Sequence, residues 1–193
     1  MFDELARDDV FRLETRRLWL RWPQAADAPA FAALACDGRV GAVLPRPNAL
    51  EDADDFIRLS REDNARGAAL RFALTLKSGQ RETVGVVSVE DFGGLPMLGY
   101  WLGRAFQGRG LVGEAAQAVV AAFFLLTRAD DLGAFAPEEN KPALGLLEKL
   151  GFVEDERHAG RHADFPHSRL ILRRGDWRAR GASLPSGLRS VTA

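Results

Sequence analysis

A chain of 193 residues, 47% hydrophobic and 27% charged, has the length of one domain and can bury a core without disulfides or metals. Its 26 basic residues oppose 27 acidic ones for a formal net charge of −1, which excludes the basic excess of a dedicated nucleic-acid binder. The single cysteine, Cys36, excludes an intrachain disulfide framework and fits a reducing compartment. Of the basic residues only Lys77, Lys141 and Lys149 are lysines, so an arginine in this chain is weak evidence of anion binding.

Met1 to Asp9 is acidic and lacks the basic region and apolar core of a signal peptide. Residues 1–11 read as an N-terminal extension, 12–180 as one domain and 181–193 as a flexible tail. Arg16 to Trp22 alternates, with Leu18, Leu20 and Trp22 on one face and Arg17, Trp19 and Arg21 on the other, which predicts a half-buried strand. A short helix follows Asp27, its apolar face made by Ala28, Phe31, Leu34 and Ala35. After a loop from Gly38 to Pro47, Asn48 and Glu51 start a second helix with Leu50, Ala53, Ile57 and Ser60 on one side.

Leu70 to Lys77, Thr83 to Asp91 and Met97 to Gly103 read as strands joined by short turns, hence as antiparallel neighbours. A long helix from Leu111 to Arg128 is apolar at Ala115, Ala118, Val119, Ala122, Leu125 and Leu126. Its apolar core, Ala115 to Leu126, is too short for a bilayer, which needs about 20 residues. Leu132 to Ala136 is a short strand, and Asn140 to Leu150 a helix with Pro142 at its start and Gly151 at its end. Phe152 to Glu156 and Arg169 to Arg173 suit a final strand pair. This order implies an α/β or α+β domain with a mixed, mostly antiparallel sheet flanked by helices. The protein is expected to be cytoplasmic, with no membrane or nucleic-acid partner.

Between a strand and the long helix lies Gln107-Gly108-Arg109-Gly110-Leu111-Val112-Gly113. Glycines let a ligand approach the backbone, and the free N–H groups and dipole of a helix start suit a pyrophosphate. A Gly-rich turn that serves packing has the same look. Gly108, Gly110 and Gly113 also satisfy G-x-G-x-x-G, with Glu138 as a ribose-binding acid. The preceding strand ends too early for a dinucleotide fold, however, and the strands upstream are joined as hairpins.

Leu98-Gly99-Tyr100-Trp101-Leu102, then Gln107-x-x-Gly110, then Glu114-Ala115, resembles the coenzyme A motif of the GNAT superfamily of N-acetyltransferases. The opening run Leu13-Glu14-Thr15-Arg16-Arg17-Leu18-Trp19-Leu20-Arg21 resembles the first strand of its RimJ/RimL-like branch. Asn140 with Leu147-Glu148-Lys149-Leu150-Gly151-Phe152 resembles its late helix. Over roughly residues 12–178 the resemblance implies a sheet splayed between Leu98–Gly103 and Leu132–Ala136, with the pantetheine arm of acetyl-CoA in the gap. It implies that the backbone from Gly108 through Arg109, Gly110, Leu111 and Val112 to Gly113, with Gln107, holds the pyrophosphate. Asn140 would bond the pantetheine arm, or cap its helix, or both. The backbone N–H near Leu102 would act as an oxyanion donor.

Three positions depart from the branch: Val112 where glycine or alanine is usual, Ala143 where a serine often supplies an acid, and Met97 where an acidic residue often precedes the motif. A thiol of pKa near ~8.5 leaves without a strong acid, so the missing serine is tolerable. The acceptor amine is the harder demand. At pH 7 a neutral lysine amine costs about 4.6 kcal/mol and an α-amine about 1. The expected activity is therefore direct acetyl transfer to a primary amine, an α-amine of a protein or peptide N-terminus or of a small molecule. Glu90 is the candidate general base, through water, sharing a strand face with Ser88. A catalytically impaired acyl-CoA sensor is the alternative, and a monomer or homodimer suits either.

His158, His162, Asp164 and His167 lie in a segment broken by Gly160 and Pro166 with no cysteine close by, so they read as solvated loop residues and no metal is expected. The six arginines of residues 169–193 read as a solvated edge or an acidic-partner contact. Trp22 and Phe31 suit core packing or the acceptor pocket.

Overall fold

The computed structural model describes residues 12–35, 50–78, 82–92, 94–155 and 167–181. The extension 1–11, Cys36, the loop Gly38 to Pro47, Asn48, His158, His162, Asp164 and the tail beyond Gly181 lie outside the described residues.

Leu18, Leu20 and Trp22 are buried as their alternation requires, but the opening strand is shorter than expected. β1 (Leu13–Glu14) and β2 (Leu18–Arg21) are separate antiparallel strands. Thr15 makes the break: its hydroxyl oxygen accepts the Leu18 N–H at 3.0 Å and its own N–H reaches the Leu18 carbonyl at 3.0 Å. The turn takes Arg16 and Arg17 out of the β1–β2 pairing, while the Arg17 carbonyl still accepts the Lys77 N–H at 3.0 Å.

α1 (Ala28–Ala35) and α2 (Leu50–Ala65) follow. Ala53, Ile57, Ser60 and Asn64 form the buried stripe of α2, spaced as a helix face demands. β3 (Ala69–Leu76), β4 (Thr83–Phe92) and β5 (Leu95–Leu102) are consecutive antiparallel neighbours. Their register aligns Ala73, Val86 and Trp101 on the face that packs against Phe31, Ala53 and Ile57. The opposite face, with Leu70, Val89 and Leu98 in register, joins the larger core around α3 (Leu111–Leu126).

The chain continues through β6 (Asp131–Pro137), α4 (Lys141–Leu150), β7 (Val153–Glu154), β8 (His167–Arg173) and α5 (Arg174–Ala179). Among the described residues the sheet has eight strands in the order β1-β2-β3-β4-β5-β6-β8-β7. β5 and β6 are parallel, and the other neighbouring strands are antiparallel. The mixed, mostly antiparallel sheet flanked by helices is the expected one.

Two further features differ from the sequence reading. Leu125 and Leu126 are exposed, whereas Phe123 and Phe124 are buried. The unforeseen α5 explains part of this. Its Trp177 lies 5.3 Å from the Phe124 ring, and Arg174 donates to the carbonyls of Phe124, Thr127 and Ala129 at the end of α3. A cation on the exposed carbonyls of a helix end is doubly favourable, through hydrogen bonds and the dipole. No helix among the described residues is long and apolar enough to cross a membrane.

Candidate active site

The sheet opens where β5 meets β6. Their register covers only Met97↔Gly133 and Leu98↔Ala134. Gly133 makes this close pairing possible, because a Cβ there would fall 2.3 Å from the Met97 sulfur. Met97 is thus buried packing at the base of the opening, and this is where the structure places the first departure from the expected motif. Beyond these pairs a narrow gap is lined by Leu98, Gly99 and Tyr100 on one side and Ala134 to Pro137 on the other.

Ladder geometry decides which way the β5 backbone points. The Gly103 N–H reaches the Val84 carbonyl of β4 at 2.9 Å. Because successive peptide groups of a strand point in opposite directions, the N–H and C=O of Leu102 face away from β4, toward the opening. The Leu102 carbonyl is taken by the Gln107 side-chain amide at 3.0 Å.

The opening continues into a cleft of about 460 Å³ lined by Leu102, Gln107, Gly108, Gly110, Leu111, Val112, Gly113 and Asn140, among others. Gly108 (φ 73°) and Gly110 (φ 71°) take left-handed conformations that a side chain would resist. Gly110 is the N-cap of α3, so no side-chain oxygen covers the first-turn N–H groups. Such uncapped N–H groups at the positive end of a helix dipole, beside glycines without Cβ atoms, fit a pyrophosphate. Val112 is half-buried and packed against the core.

Arg109 is the one residue of this run that does not line the cleft. Its guanidinium lies 5.9 Å over the Phe106 ring, and its carbonyl accepts from Arg17 Nη1 at 2.7 Å. Arg17 also donates from its main-chain N–H and from Nε to the two Glu114 carboxylate oxygens, each at 2.7 Å. Burial opposes ionisation of Glu114, yet bonds from Thr15, the Arg17 amide and the Arg17 guanidinium hold its carboxyl below the usual range. Arg17 is a residue that sequence reasoning missed, since alternation set it on the outer face of a strand.

Asn140 caps α4, its Oδ1 accepting the Ala143 N–H at 3.2 Å, and it lines the cleft. Its side-chain N–H₂ is not needed for the cap, so capping and ligand contact are compatible. Tyr100, which is half-buried, lines both the gap and the cleft. Its hydroxyl donates to the Ala143 carbonyl at 3.4 Å, a long bond that is easily exchanged. Burial pushes the phenol pKa up to about 12. Lys149, at the last turn of α4, adds a cation to the cleft lining, a role that the late-helix resemblance did not assign to it.

Glu90 is not brought into this cleft. Its carboxylate, 8% exposed as a residue, takes Arg71 Nε at 3.0 Å and Nη2 at 2.7 Å, and Ser88 Oγ donates at 3.0 Å. Arg71 is shared with Asp63, 2.6 Å from Nη1. Glu90 is in register with Met97 and Gly85 with Leu102, so five residues, roughly 17 Å of strand, separate it from the Leu102 level. Phe31 is fully buried, 5.7 Å from Trp101 and 5.5 Å from Phe56 in edge contacts, and Trp22 is also buried. No carboxylate lines the gap or the cleft among the described residues.

The family model described as an acetyltransferase (GNAT) domain matches residues 17–153. A Bacillus licheniformis protein named uncharacterized N-acetyltransferase p20 is 28% identical over 148 residues, 74% of this chain and 83% of that protein. The ribosomal-protein-S5-alanine acetyltransferase from Vibrio fischeri superposes with a TM-score of 0.71 at 18% identity, covering 86% of this chain and 98% of that one. Mycobacterium smegmatis RimJ in complex with CoA-disulfide gives a TM-score of 0.68 at 19% identity, covering 90% of this chain and 94% of that one.

Proposed function

The chain belongs to the GNAT acetyltransferase family, whose acyl donor is acetyl-CoA, and we propose that it passes the acetyl group directly to an α-amine, with no covalent enzyme intermediate. The acceptor is the N-terminus of a protein or peptide, or a small molecule of similar amine basicity. One observation carries the reading: the Leu102 N–H points into the sheet opening, next to an uncapped, glycine-flanked helix start.

In this reading the loop from Gly108 to Gly113 takes the pyrophosphate on its N–H groups, and Gln107 fixes the loop to the end of β5 through the Leu102 carbonyl. Asn140 offers its side-chain N–H₂ to the pantetheine arm. The thioester carbonyl lies against the Leu102 N–H, which takes up negative charge as the amine attacks. As that adduct gives up its ammonium proton to water, it collapses to the amide, breaking the C–S bond and releasing a thiolate.

Tyr100, which lines both the gap and the cleft, is the candidate to meet the thiolate. With a phenol pKa of about 12 it stays protonated through the working range. Full proton transfer to a thiolate of pKa ~8.5 runs uphill, so Tyr100 contributes a charge-assisted hydrogen bond. This supplies what Ala143 lacks.

Among the described residues the cleft lining holds no carboxylate to strip a proton from a strongly basic amine. An α-amine of pKa ~7.8 is partly neutral near pH 7 and loses its proton to water at little cost, whereas a lysine does not. Glu90 stands five residues of strand from the Leu102 level, and its pairing with Arg71 supports a structural part instead.

The second reading is a coenzyme-A-binding sensor without turnover, favoured by Ala143. Thermal shift and thiol release separate the two. CoA is expected to stabilise the chain where NAD does not, and acetyl-CoA to release thiol when an α-amine is added. Stabilisation by CoA with no thiol release over peptides, amino acids, polyamines and aminoglycosides would establish the sensor instead, and stabilisation by NAD alone would overturn both.

A further inference from the structure

We propose that Arg17 is a positioning residue for acetyl-CoA, setting the pyrophosphate loop from a strand turn 92 residues away from the loop carbonyl it holds. The inference rests on the acetyl-CoA reading above and adds a residue to it.

Two separate contacts carry the argument. The first is to the Arg109 carbonyl, 2.7 Å from Arg17 Nη1. A trans peptide is planar, so its C=O and the following N–H point in opposite directions. Anchoring the Arg109 carbonyl on Arg17 therefore turns the Gly110 N–H away from Arg17. Gly110, at φ 71°, then enters α3 directly, and its carbonyl starts the helix by accepting the Glu114 N–H at 3.2 Å. Without that anchor the 109–110 peptide flips more readily, since the flip turns φ of Gly110, and a glycine offers little resistance to either orientation.

The second contact is to Glu114. This carboxylate sits in the first turn of α3, close to where a pyrophosphate would bind. A negative side chain there suits the helix dipole but competes with an anionic ligand for the same N–H groups. Arg17 occupies both carboxylate oxygens at 2.7 Å and balances the charge. The pair is only partly exposed, 35% for Arg17 and 17% for Glu114, so water screens it incompletely. Thr15 closes the turn that aims Arg17 at α3, which explains why the opening strand breaks where it does.

Arg17 is absent from the cleft lining, so its effect must pass through the loop, and that sets the test. The phosphate-bearing donor, acetyl-CoA, is compared with acetyl-pantetheine, which has the same thioester and no pyrophosphate. In Arg17→Gln, kcat/KM for acetyl-CoA relative to acetyl-pantetheine is expected to fall about tenfold or more, through KM, with kcat for saturating acetyl-CoA changed less than threefold. Arg17→Lys keeps the charge but cannot fork between Glu114 and the Arg109 carbonyl, and the same ratio is expected to fall by a smaller factor. It also serves as the test variant if Arg17→Gln does not fold. An unchanged ratio in a folded variant, whether both donors suffer equally or neither does, overturns the inference and leaves the acetyl-CoA reading standing. Failure of the wild-type chain to bind CoA at all overturns that reading and this inference with it.

Discussion

Replacing Glu90 by glutamine removes one of the two carboxylates that flank Arg71 while keeping the size of the side chain. Arg71 and Glu90 are largely buried, with side chains 12% and 11% exposed, and they share a bidentate contact. Breaking a buried pair costs ~3–5 kcal/mol when the remaining charge is left alone. Here Asp63 stays 2.6 Å from Arg71, and the glutamine carbonyl still accepts one bond. The expected loss is therefore smaller, about 2 kcal/mol, which lowers Tm by about 4–8 °C in a domain of this size. Catalysis should hardly change, because the carboxylate stands well below the Leu102 level of the strand. Calorimetry and initial thiol-release rates, measured far below Tm, report the two effects separately, and kcat is expected within threefold of wild type. A general base contributes ~10²–10⁴. A hundredfold loss of kcat with an unchanged Tm would make Glu90 the base and refute this assignment.

Tyr100→Phe removes the bond offered to the leaving thiolate, and kcat should fall about tenfold or more with KM for acetyl-CoA little changed, as steady-state kinetics will show. Because burial pushes the phenol pKa up to about 12, the pH profile of kcat/KM with an α-amine peptide should rise through ~7.8 and show no falling limb below pH 10. Asn140→Ala should cost about 1 kcal/mol through the lost cap, read by thermal unfolding, and raise KM for acetyl-CoA. Asn140→Asp keeps the cap acceptor and loses the N–H₂ donor, so Tm should hold while KM still rises. Finally, Asp27, Asp63 and Glu114 all titrate below their ordinary values: burial alone would raise each, but their arginine partners and other hydrogen bonds outweigh it. The unfolded chain thus binds protons first as pH falls, and the stability these groups supply, fully present above about pH 5, should decline below pH 4 in a denaturation series.

The elements that place the cleft were legible where a local pattern is tied to one physical cause. Glycines 108 and 110 mark a loop that needs left-handed backbone, and Asn140 with Pro142 and Gly151 brackets a capped helix. Short turns between β3, β4 and β5 marked them as antiparallel neighbours, whereas which of their side chains meet α1 and which meet α3 was seen only in the structure. Long-range partnership was not legible. Arg17 and Glu114 are 97 residues apart, and one arginine among 23 carries no mark of its contact. Glu90 on a strand end looks like a free acid until Arg71, on the neighbouring strand, is seen beside it. α5 is six residues long and gains its place from Arg174 and Trp177 against the end of α3, a tertiary effect that propensity does not report.

The most direct test offers the enzyme and acetyl-CoA a peptide that carries both a free α-amine and a lysine, and locates the acetyl group by fragment-ion mass spectrometry. The account predicts one acetyl on the α-amine, formed in step with thiol release, while the lysine stays unmodified near pH 7. Acetylation of the lysine with the α-amine untouched would contradict the low-basicity acceptor, and thiol release that leaves every amine unmodified would contradict acetyl transfer itself.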